Sequence, residues 1–202
     1  KKIKYTRIYP DIKPINKIKT GRFLDAEFTI QFKSAQMQEI AKLYLEDKIN
    51  SGDQLFFSDI WFPSIESIAY MNYFTKKDVK ITGFLHAGSF TDTDFVRDME
   101  RWAKNFEDII FDISNIVYVG SNFIKNDVIK KRIIDKNKLI VSYLPVNIQN
   151  MKKFKTQDLK KNIVVFCARN VDEKQPWLFD ALAERLKDKA TFINTQRENL
   201  SK

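Results

Sequence analysis

Two cationic side chains, Arg169 and Lys174, lie five residues apart in a polar segment that follows an apolar run and precedes Pro176. Proline suits the first turn of a helix, so we expect a strand, a loop and a helix in this order. Arginine binds phosphate oxygens through two parallel hydrogen bonds, lysine adds a point charge, and helix-end N–H groups attract anions. The two cations can therefore neutralise a diphosphate. The alternative is a solvated pair of cations bridged to Asp172 and Glu173.

The only histidine of the chain, His86, ends another apolar run and lies between Gly83 and Gly88. An imidazole changes its charge near neutral pH and hydrogen-bonds a ligand in either protonation state. A histidine directly after a strand, in a segment rich in hydroxyl and carboxylate groups, is a candidate catalytic residue. A purely structural histidine is the alternative.

A third polar segment, 58–63, carries Asp59 and Trp61 after a short apolar run. A carboxylate can orient the hydroxyl group of an acceptor, and an indole ring can stack on a sugar or a base. Both residues are therefore candidates for binding an acceptor. The alternative interpretation is an aspartate that caps the local turn and a tryptophan that packs in the core.

Several classes of site are excluded by the composition. A single cysteine, Cys167, excludes a disulfide framework and a cysteine-based zinc site, and one histidine excludes a poly-histidine metal centre. The Asp92-Thr93-Asp94 triplet has the spacing of a metal-binding D-x-D motif, but a helix N-cap is expected there, so we expect no metal and no other cofactor. No apolar run is long enough to cross a bilayer and no signal peptide is recognisable, so we expect a cytoplasmic protein.

The net charge of +9 is concentrated in two segments. Residues 1–22 hold eight Lys or Arg against one Asp, and residues 122–162 hold eleven against three Asp. Clustered cations attract polyanions such as nucleic acid, an anionic membrane surface or an acidic polymer. A solvated lysine-rich surface is the alternative, because the basic segments are not interleaved with the aromatic residues typical of single-strand binding. No helix-turn-helix, RNA-recognition or zinc-finger pattern is recognisable.

The strands and helices that position these candidate residues can be predicted from apolar runs that alternate with helical patterns. We predict strands at 4–9, 55–57, 79–85, 116–119, 139–143, 163–167 and 190–193, and helices at 34–49, 65–74, 95–113, 121–132 and 176–187. Several strands are apolar throughout, which is typical of parallel strands buried on both faces. We therefore predict an α/β fold with a Rossmann-like, doubly wound parallel sheet. Ligands bind beyond the carboxyl ends of such strands, where the polar segments lie.

The clearest periodicity falls in the third predicted helix, where apolar residues recur at intervals of four and three: Phe95, Met99, Trp102, Phe106, Ile109 and Ile113. This spacing is typical of one face of an α-helix. We expect the stripe to face the core, with Asp92 or Thr93 as the N-cap of the helix and with Arg97, Arg101 and Lys104 in solvent.

In their order along the chain, these segments resemble the retaining GT-B glycosyltransferases of the broad family-four type. The segments that carry the resemblance, with the family motif that each is similar to, are 55–63 (D-V-I-H-A-H), 79–86 (a strand ending in a histidine), 114–121 with Lys125 (A-D-x-V-I-A-V-S…K), 144–147 (I-P-N-G-V) and 166–174 (V-G-R-L-x-x-E-K-G). Together they span roughly residues 50–195. The resemblance implies the two Rossmann-like domains of that family.

The resemblance also implies roles for individual residues. Arg169 and Lys174 are expected to bind the donor diphosphate, and His86 is expected to lie beside the transferred sugar. The residues expected to line the acceptor side and the interdomain cleft are Asp59, Trp61, Ser121 and Asn147. Retention of configuration follows from the family alone, and it lets the departing phosphate deprotonate the acceptor hydroxyl.

The implied domain organisation is an acceptor-side domain at 1–148, a linker at 149–161 and the beginning of a nucleotide-sugar-binding domain at 162–202. The sequence departs from the family motif where Ala168 and Gln175 replace glycines. The carboxylate-bearing E-x-x-x-x-x-x-x-E segment, which grips the donor sugar in that family, has no counterpart. We therefore expect the C-terminal domain to be incomplete.

We expect a hexosyl- or pentosyltransferase that transfers a sugar from a nucleotide-diphosphate-sugar donor, with DNA, RNA or an anionic cell-envelope glycopolymer among the acceptors left open. The alternative is a non-catalytic basic α/β module that binds nucleic acid or a protein partner. Contact of the lysine-rich surface with a membrane is a further option, although no amphipathic helix with exposed aromatic residues is recognisable.

Overall fold

The computed structural model describes residues 4–12, 25, 29–153 and 161–197. The chain divides into two compact units, Lys1–Pro145 and Val146–Lys202. The first unit contains α1 (Gln31–Leu45), β1 (Gln54–Phe57), α2 (Glu66–Thr75), β2 (Lys80–Leu85), α3 (Glu100–Ile113), β3 (Ile116–Val119), α4 (Asn122–Lys131) and β4 (Leu139–Val141). The second contains α5 (Ile148–Lys152), β5 (Ile163–Phe166), α6 (Pro176–Leu186) and β6 (Thr191–Asn194). Short 3₁₀ turns at Phe95–Met99, Lys136–Lys138 and Asp172–Lys174 precede α3, β4 and α6.

The first unit is an α/β unit whose four strands form one parallel sheet in the order β1-β2-β3-β4. The predicted α/β class with a parallel sheet is confirmed. A reversal of strand order defines a doubly wound sheet, and none occurs among the described strands. Right-handed crossovers between strands in sequential order place the connecting helices on one face of the sheet.

The two faces of this sheet differ in burial. On one face, the row Phe57, Gly83, Val117 and Leu139 is buried. On the opposite face, Phe56 is 59% exposed and Ile140 is 39% exposed. The expectation that several strands are buried on both faces is wrong for β1, β3 and β4, because their burial alternates. Only β2 is buried along both faces within the described part of the chain, although β3 also has a strand on each side.

The first two helices begin differently from the prediction. Helix α1 starts at Gln31 and not at residue 34, so Ser34 lies inside the helix. Ser64 precedes α2 with a φ of 65°, and no side chain caps that helix. The predicted strand at 4–9 is also wrong, because residues 4–12 have no regular structure. Ile8 packs against the core, and its carbonyl accepts a hydrogen bond from Gln36 Nε2 at 3.1 Å.

Helix α3 turns a different face to the core from the one its apolar stripe predicts. Its buried residues are Ala103, Glu107, Ile110 and Phe111. Trp102 is 48% exposed and Ile109 is 44% exposed, so the predicted stripe is only partly buried. The 3₁₀ turn before α3 is capped by Asp94, whose Oδ1 accepts from the Val96 N–H at 3.0 Å, and not by Asp92 or Thr93. The buried charge of Glu107 explains the rotation, because its partners lie on the core side.

The second unit is a parallel pair, β5 and β6, connected by α6. Pro176 opens α6 as the sequence predicts. Phe179 of this helix packs between Phe166, at a ring distance of 5.3 Å, and Phe192, at 5.6 Å. The segment predicted as a linker begins inside α5, and residues 154–160 lie outside the described residues. Across the described segments, no helix is both long and apolar enough to cross a membrane.

A hydrogen-bonded tyrosine joins α1, α2 and the approach to β2. The Tyr44 hydroxyl donates to Asn72 Oδ1 at 2.8 Å, and Asn72 Nδ2 donates to the Val79 carbonyl at 2.8 Å. Tyr44 is 7% exposed. Because burial disfavours the phenolate, it raises the pKa of Tyr44 to about 12. The phenol therefore stays neutral in the folded protein until strongly alkaline pH.

The Tyr44→Phe variant tests this coupling. The folded pKa lies above the ordinary tyrosine value of about 10, so the stability that this phenol contributes is complete below pH about 10 and is lost as the pH rises through about 12. We expect the variant to lose about 1 kcal/mol at neutral pH and to lack that alkaline loss. Urea unfolding at pH 8 and 11, with phenolate absorbance, measures both effects. The exposed Tyr73→Phe control should keep the high-pH phenolate step; its loss there would contradict the assignment.

Candidate functional site

The carboxyl edge of the first sheet brings His86 next to the end of β1. His86 is exposed and follows β2 directly. Its Nε2 lies 2.9 Å from the carbonyl oxygen of Ser58, and its ring lies 4.7 Å from that of Phe84. A carbonyl oxygen only accepts, so this contact favours the tautomer with the proton on Nε2. In the neutral ring, Nδ1 is then the acceptor nitrogen for a ligand hydroxyl.

The two glycines near His86 allow close approach of the chain to its neighbours. A Cβ on Gly83 would lie 2.9 Å from the Phe57 carbonyl oxygen. A Cβ on Gly88 would lie 2.6 Å from the ring of Phe90 and would collide with Glu107 Oε1. Any larger residue at either position would displace the segment that carries His86.

A buried ion pair, which the sequence analysis did not identify, underlies this segment. Glu107 of α3 is fully buried, and the side chain of Arg132 is 2% exposed. Arg132 Nε donates to Glu107 Oε2 at 2.7 Å. Ser89 completes the pair: its N–H donates to Glu107 Oε1 at 2.6 Å and its hydroxyl donates to Oε2 at 2.9 Å. Both carboxylate oxygens are therefore hydrogen-bonded, which a buried charge requires.

Two further cations hold the same segment by its backbone. Arg97 Nη1 donates to the Ser89 carbonyl at 3.1 Å, and Lys131 Nζ donates to the Phe90 carbonyl at 2.6 Å. Arg97 was expected in solvent, but this contact and a 2.9 Å ion pair with Glu100 give it a structural role. In the sequence, Glu107 lies inside an amphipathic helix and Gly88 lies near the end of a strand. Neither feature predicts that Glu107 pairs with Arg132.

The structure gives Asp59 and Trp61 local structural contacts. Asp59 Oδ1 accepts from the Trp61 N–H at 3.1 Å, and its Oδ2 lies 3.5 Å from Lys33 Nζ. Trp61 is 2% exposed, and its indole packs 5.0 Å from the Phe106 ring. The expectation that Trp61 stacks on an acceptor is wrong, because the ring has no exposed face. Burial lowers the pKa of Lys33, which also donates to the Trp61 carbonyl at 2.7 Å.

Ser121 and Asn147 act as helix caps. Ser121 follows β3, and its hydroxyl accepts from the Ile124 N–H at 3.3 Å, so it is the N-cap of α4, the helix predicted at 121–132. Asn147 lies in the second unit and caps α5, since its Oδ1 accepts from the Asn150 N–H at 2.9 Å. Ser121 therefore shares the carboxyl edge of the first sheet with His86, and Asn147 belongs to the other unit.

The loop between β5 and α6 carries Arg169 and Lys174, both exposed at the carboxyl end of β5. A buried side chain of β6, Asn194, anchors the loop by donating to Asn170 Oδ1 at 3.1 Å. The Arg169 carbonyl accepts from the Val171 N–H at 2.9 Å, which closes a tight turn. The loop is thus held by β6 directly beside its two cations.

Gln175 adopts a left-handed conformation, with φ 51° and ψ 52°, between Lys174 and Pro176. Glycine reaches this region without strain, whereas other residues pay a steric penalty. The position is the one where Gln175 replaces the last glycine of the resembled motif. The backbone here thus has the shape that a glycine would favour.

Several lysines of the basic segment at 122–162 bind carbonyl groups within the first unit. Lys125 Nζ donates to the Leu139 carbonyl at 2.7 Å, and Lys138 Nζ donates to the Asp112 carbonyl at 2.7 Å at the end of α3. Lys131 also pairs with Asp127 at 3.1 Å, and these contacts raise the pKa of Lys131. Much of this positive charge therefore stabilises the fold locally.

Over the described ranges, no group of three or more His, Cys, Asp and Glu side chains is arranged to hold a metal ion. Cys167, at the end of β5, is free and exposed. Comparison with models of known protein families gives no match for this chain, and a search of characterised proteins gives no significant match.

The Gln175→Gly variant tests the strain at the entrance to α6. Relief of a left-handed side chain gains about 1–2 kcal/mol, and the greater freedom of glycine in the unfolded chain returns about 0.5–1 kcal/mol. We expect amide hydrogen exchange in α6 to slow by about two- to fivefold. The Gln175→Ala control keeps a Cβ and should exchange at the wild-type rate. Faster exchange in the glycine variant would contradict the strain.

Proposed function

We propose that this protein is a glycosyltransferase that moves a sugar from a nucleotide-diphosphate-sugar donor to an acceptor hydroxyl, with retention of configuration. The observation that supports the proposal is common to both units: His86, Ser121 and Arg169 each follow the carboxyl end of a parallel strand. This is the edge at which α/β sheets bind ligands. The order of the motif-bearing segments along the chain supports the same proposal.

We assign the donor diphosphate to the β5–α6 loop. When the bond between the anomeric carbon and the phosphate oxygen breaks, the leaving diphosphate gains negative charge. Arg169 and Lys174 stabilise that charge in the transition state more than in the ground state, which lowers the barrier. The bond from the acceptor oxygen to the anomeric carbon forms on the same face, and the acceptor proton goes to the departing diphosphate. No metal ion takes part in this sequence.

His86 then orients the transferred sugar. With Nε2 facing the Ser58 carbonyl at 2.9 Å, Nδ1 accepts a hydrogen bond from a sugar hydroxyl. The Asp59 carboxylate, partly exposed after β1, is the group in the first unit that we assign to an acceptor hydroxyl. In this assignment the first unit binds the sugar hydroxyl groups, and the second unit binds the donor diphosphate.

The finer architecture is also part of the proposal. We propose that β1 to β4 are the half of a GT-B N-terminal sheet in which strand order follows chain order, and that β5-α6-β6 opens the second Rossmann-like domain. The left-handed backbone at Gln175, where the resembled motif has glycine, supports the second assignment. The non-catalytic basic module has less support, because Lys125, Lys131 and Lys138 bind carbonyl groups of the fold.

Donor binding tests the proposal on the intact protein. We expect one member of a panel of UDP-, GDP-, ADP- and dTDP-sugars to raise the melting temperature of the wild type. Arg169→Ala and Lys174→Ala should each weaken that binding about tenfold or more, since a charge-assisted hydrogen bond contributes about 1.5–3 kcal/mol. His86→Ala should reduce transfer while the nucleoside diphosphate alone still binds.

The control is Arg185→Ala, which removes an exposed arginine near the end of α6 and should leave donor affinity unchanged. Equal effects at Arg169 and Arg185 would refute the site assignment. Tight, steeply salt-dependent binding of DNA or RNA, with no response to any nucleotide sugar, would favour the non-catalytic module instead.

A further inference from the structure

We propose that Glu107 and Arg132 are positioning residues, which hold the segment from His86 to Phe90 so that the imidazole faces a bound sugar. The inference rests on the proposed function for the identity of the ligand, but the positioning itself is measurable without any ligand. Neither charge touches the exposed edge of the sheet. They act through Ser89.

Ser89 is clamped by every polar group it has. Its N–H and hydroxyl donate to the two oxygens of Glu107, its hydroxyl accepts from Arg132 Nη2 at 2.7 Å, and its carbonyl accepts from Arg97. The other end of the segment is fixed as well, because Leu85 pairs with Val119 in the sheet. His86 therefore lies in a short span between two fixed points.

The span between these points has little freedom. Only residues 86–88 separate the sheet from the clamp, and three residues reach about 10 Å at most. Gly88 makes the clamp possible, because a side chain there would displace Glu107. A shift at Ser89 must therefore pass to His86 and to its contact with the Ser58 carbonyl.

Stability alone does not account for this pair. Replacing a buried ion pair with apolar residues of similar volume is often neutral or stabilising. Leucine and methionine at these two positions would fill the same space, but they have no acceptor for the Ser89 N–H and hydroxyl. The two charged groups therefore fix the orientation of the segment from His86 to Phe90 through directional hydrogen bonds, which apolar packing cannot do.

The double variant Glu107→Leu/Arg132→Met separates positioning from stability. The chain has one histidine, so long-range ¹H–¹⁵N spectra of the imidazole report His86 alone. In the wild type we expect one ring conformation with the proton on Nε2. We expect the double variant to fold with a lower melting temperature, because the buried N–H and hydroxyl of Ser89 lose their acceptors. We also expect its His86 ring signals to shift and broaden and its affinity for the panel sugar to fall at least tenfold.

The matched control is Lys104→Met/Asp108→Asn, which removes another 2.7 Å ion pair of α3 and should leave the ring signals unchanged. Should the double variant not fold, Ser89→Ala keeps the ion pair, and Arg132→Lys keeps its charge. Ser89→Ala should shift the His86 ring signals. Arg132→Lys should leave these signals closer to those of the wild type than Ser89→Ala does.

The outcomes separate the two proposals. Ring signals identical to the wild type in the folded double variant or in Ser89→Ala would overturn the positioning role. Altered ring signals together with no binding of any nucleotide sugar by the wild type would support positioning and refute the glycosyltransferase. A uniform loss of melting temperature with unmoved ring signals would mean that the pair is only structural.

Discussion

A charge placed out of water must find its full set of partners, and in this protein that constraint falls on Glu107. The carboxylate is fully buried, and Arg132 and Ser89 satisfy it from two other parts of the chain. Because all three must meet, these polar contacts fix the rotation of α3 together with the buried apolar residues Ala103, Ile110 and Phe111. Trp102 and Ile109 are consequently left partly exposed. One electrostatic requirement thus sets both the helix packing and the course of the segment after β2.

The sequential order of the sheet has a second consequence for the molecule. Helices on one face leave the other face with Phe56, Tyr118 and Ile140, of which Phe56 and Ile140 are exposed. His86 lies two residues beyond Phe84 on that same face and stacks on its ring. The candidate histidine therefore sits where the uncovered face meets the carboxyl edge. It follows β2 directly, which is an inner strand paired with β1 and β3.

Sequence analysis predicted the elements that depend on local chemistry. The strands around Leu55, Val117 and Val164 were predicted because a short apolar run between turn-forming residues is enough to identify a strand. Ser121 and Pro176 are residue types that mark the start of a helix without any tertiary contact. The buried face of α3 and the burial of Trp61 were not predictable in this way. Hydrophobic periodicity treats a glutamate as a surface residue, and it has no means to detect an arginine 25 residues away that neutralises it. The start of α1 was predicted three residues late, because no side chain caps this helix and no local signal marks Gln31.

The positions of the cations bear on which anion this protein could bind. The net charge of +9 alone suggests a surface that binds polyanions. In the structure, however, Lys125, Lys131 and Lys138 donate hydrogen bonds to carbonyl oxygens of the first unit. An ammonium group that serves as a structural donor reaches a phosphate less readily, because that hydrogen bond would have to break. Arg169 begins a tight turn after β5 that Asn194 anchors through Asn170, and Lys174 follows in the same loop. The ligand that we propose for this loop is a diphosphate and not an extended polymer, because charge held in an anchored turn is preorganised for a small anion.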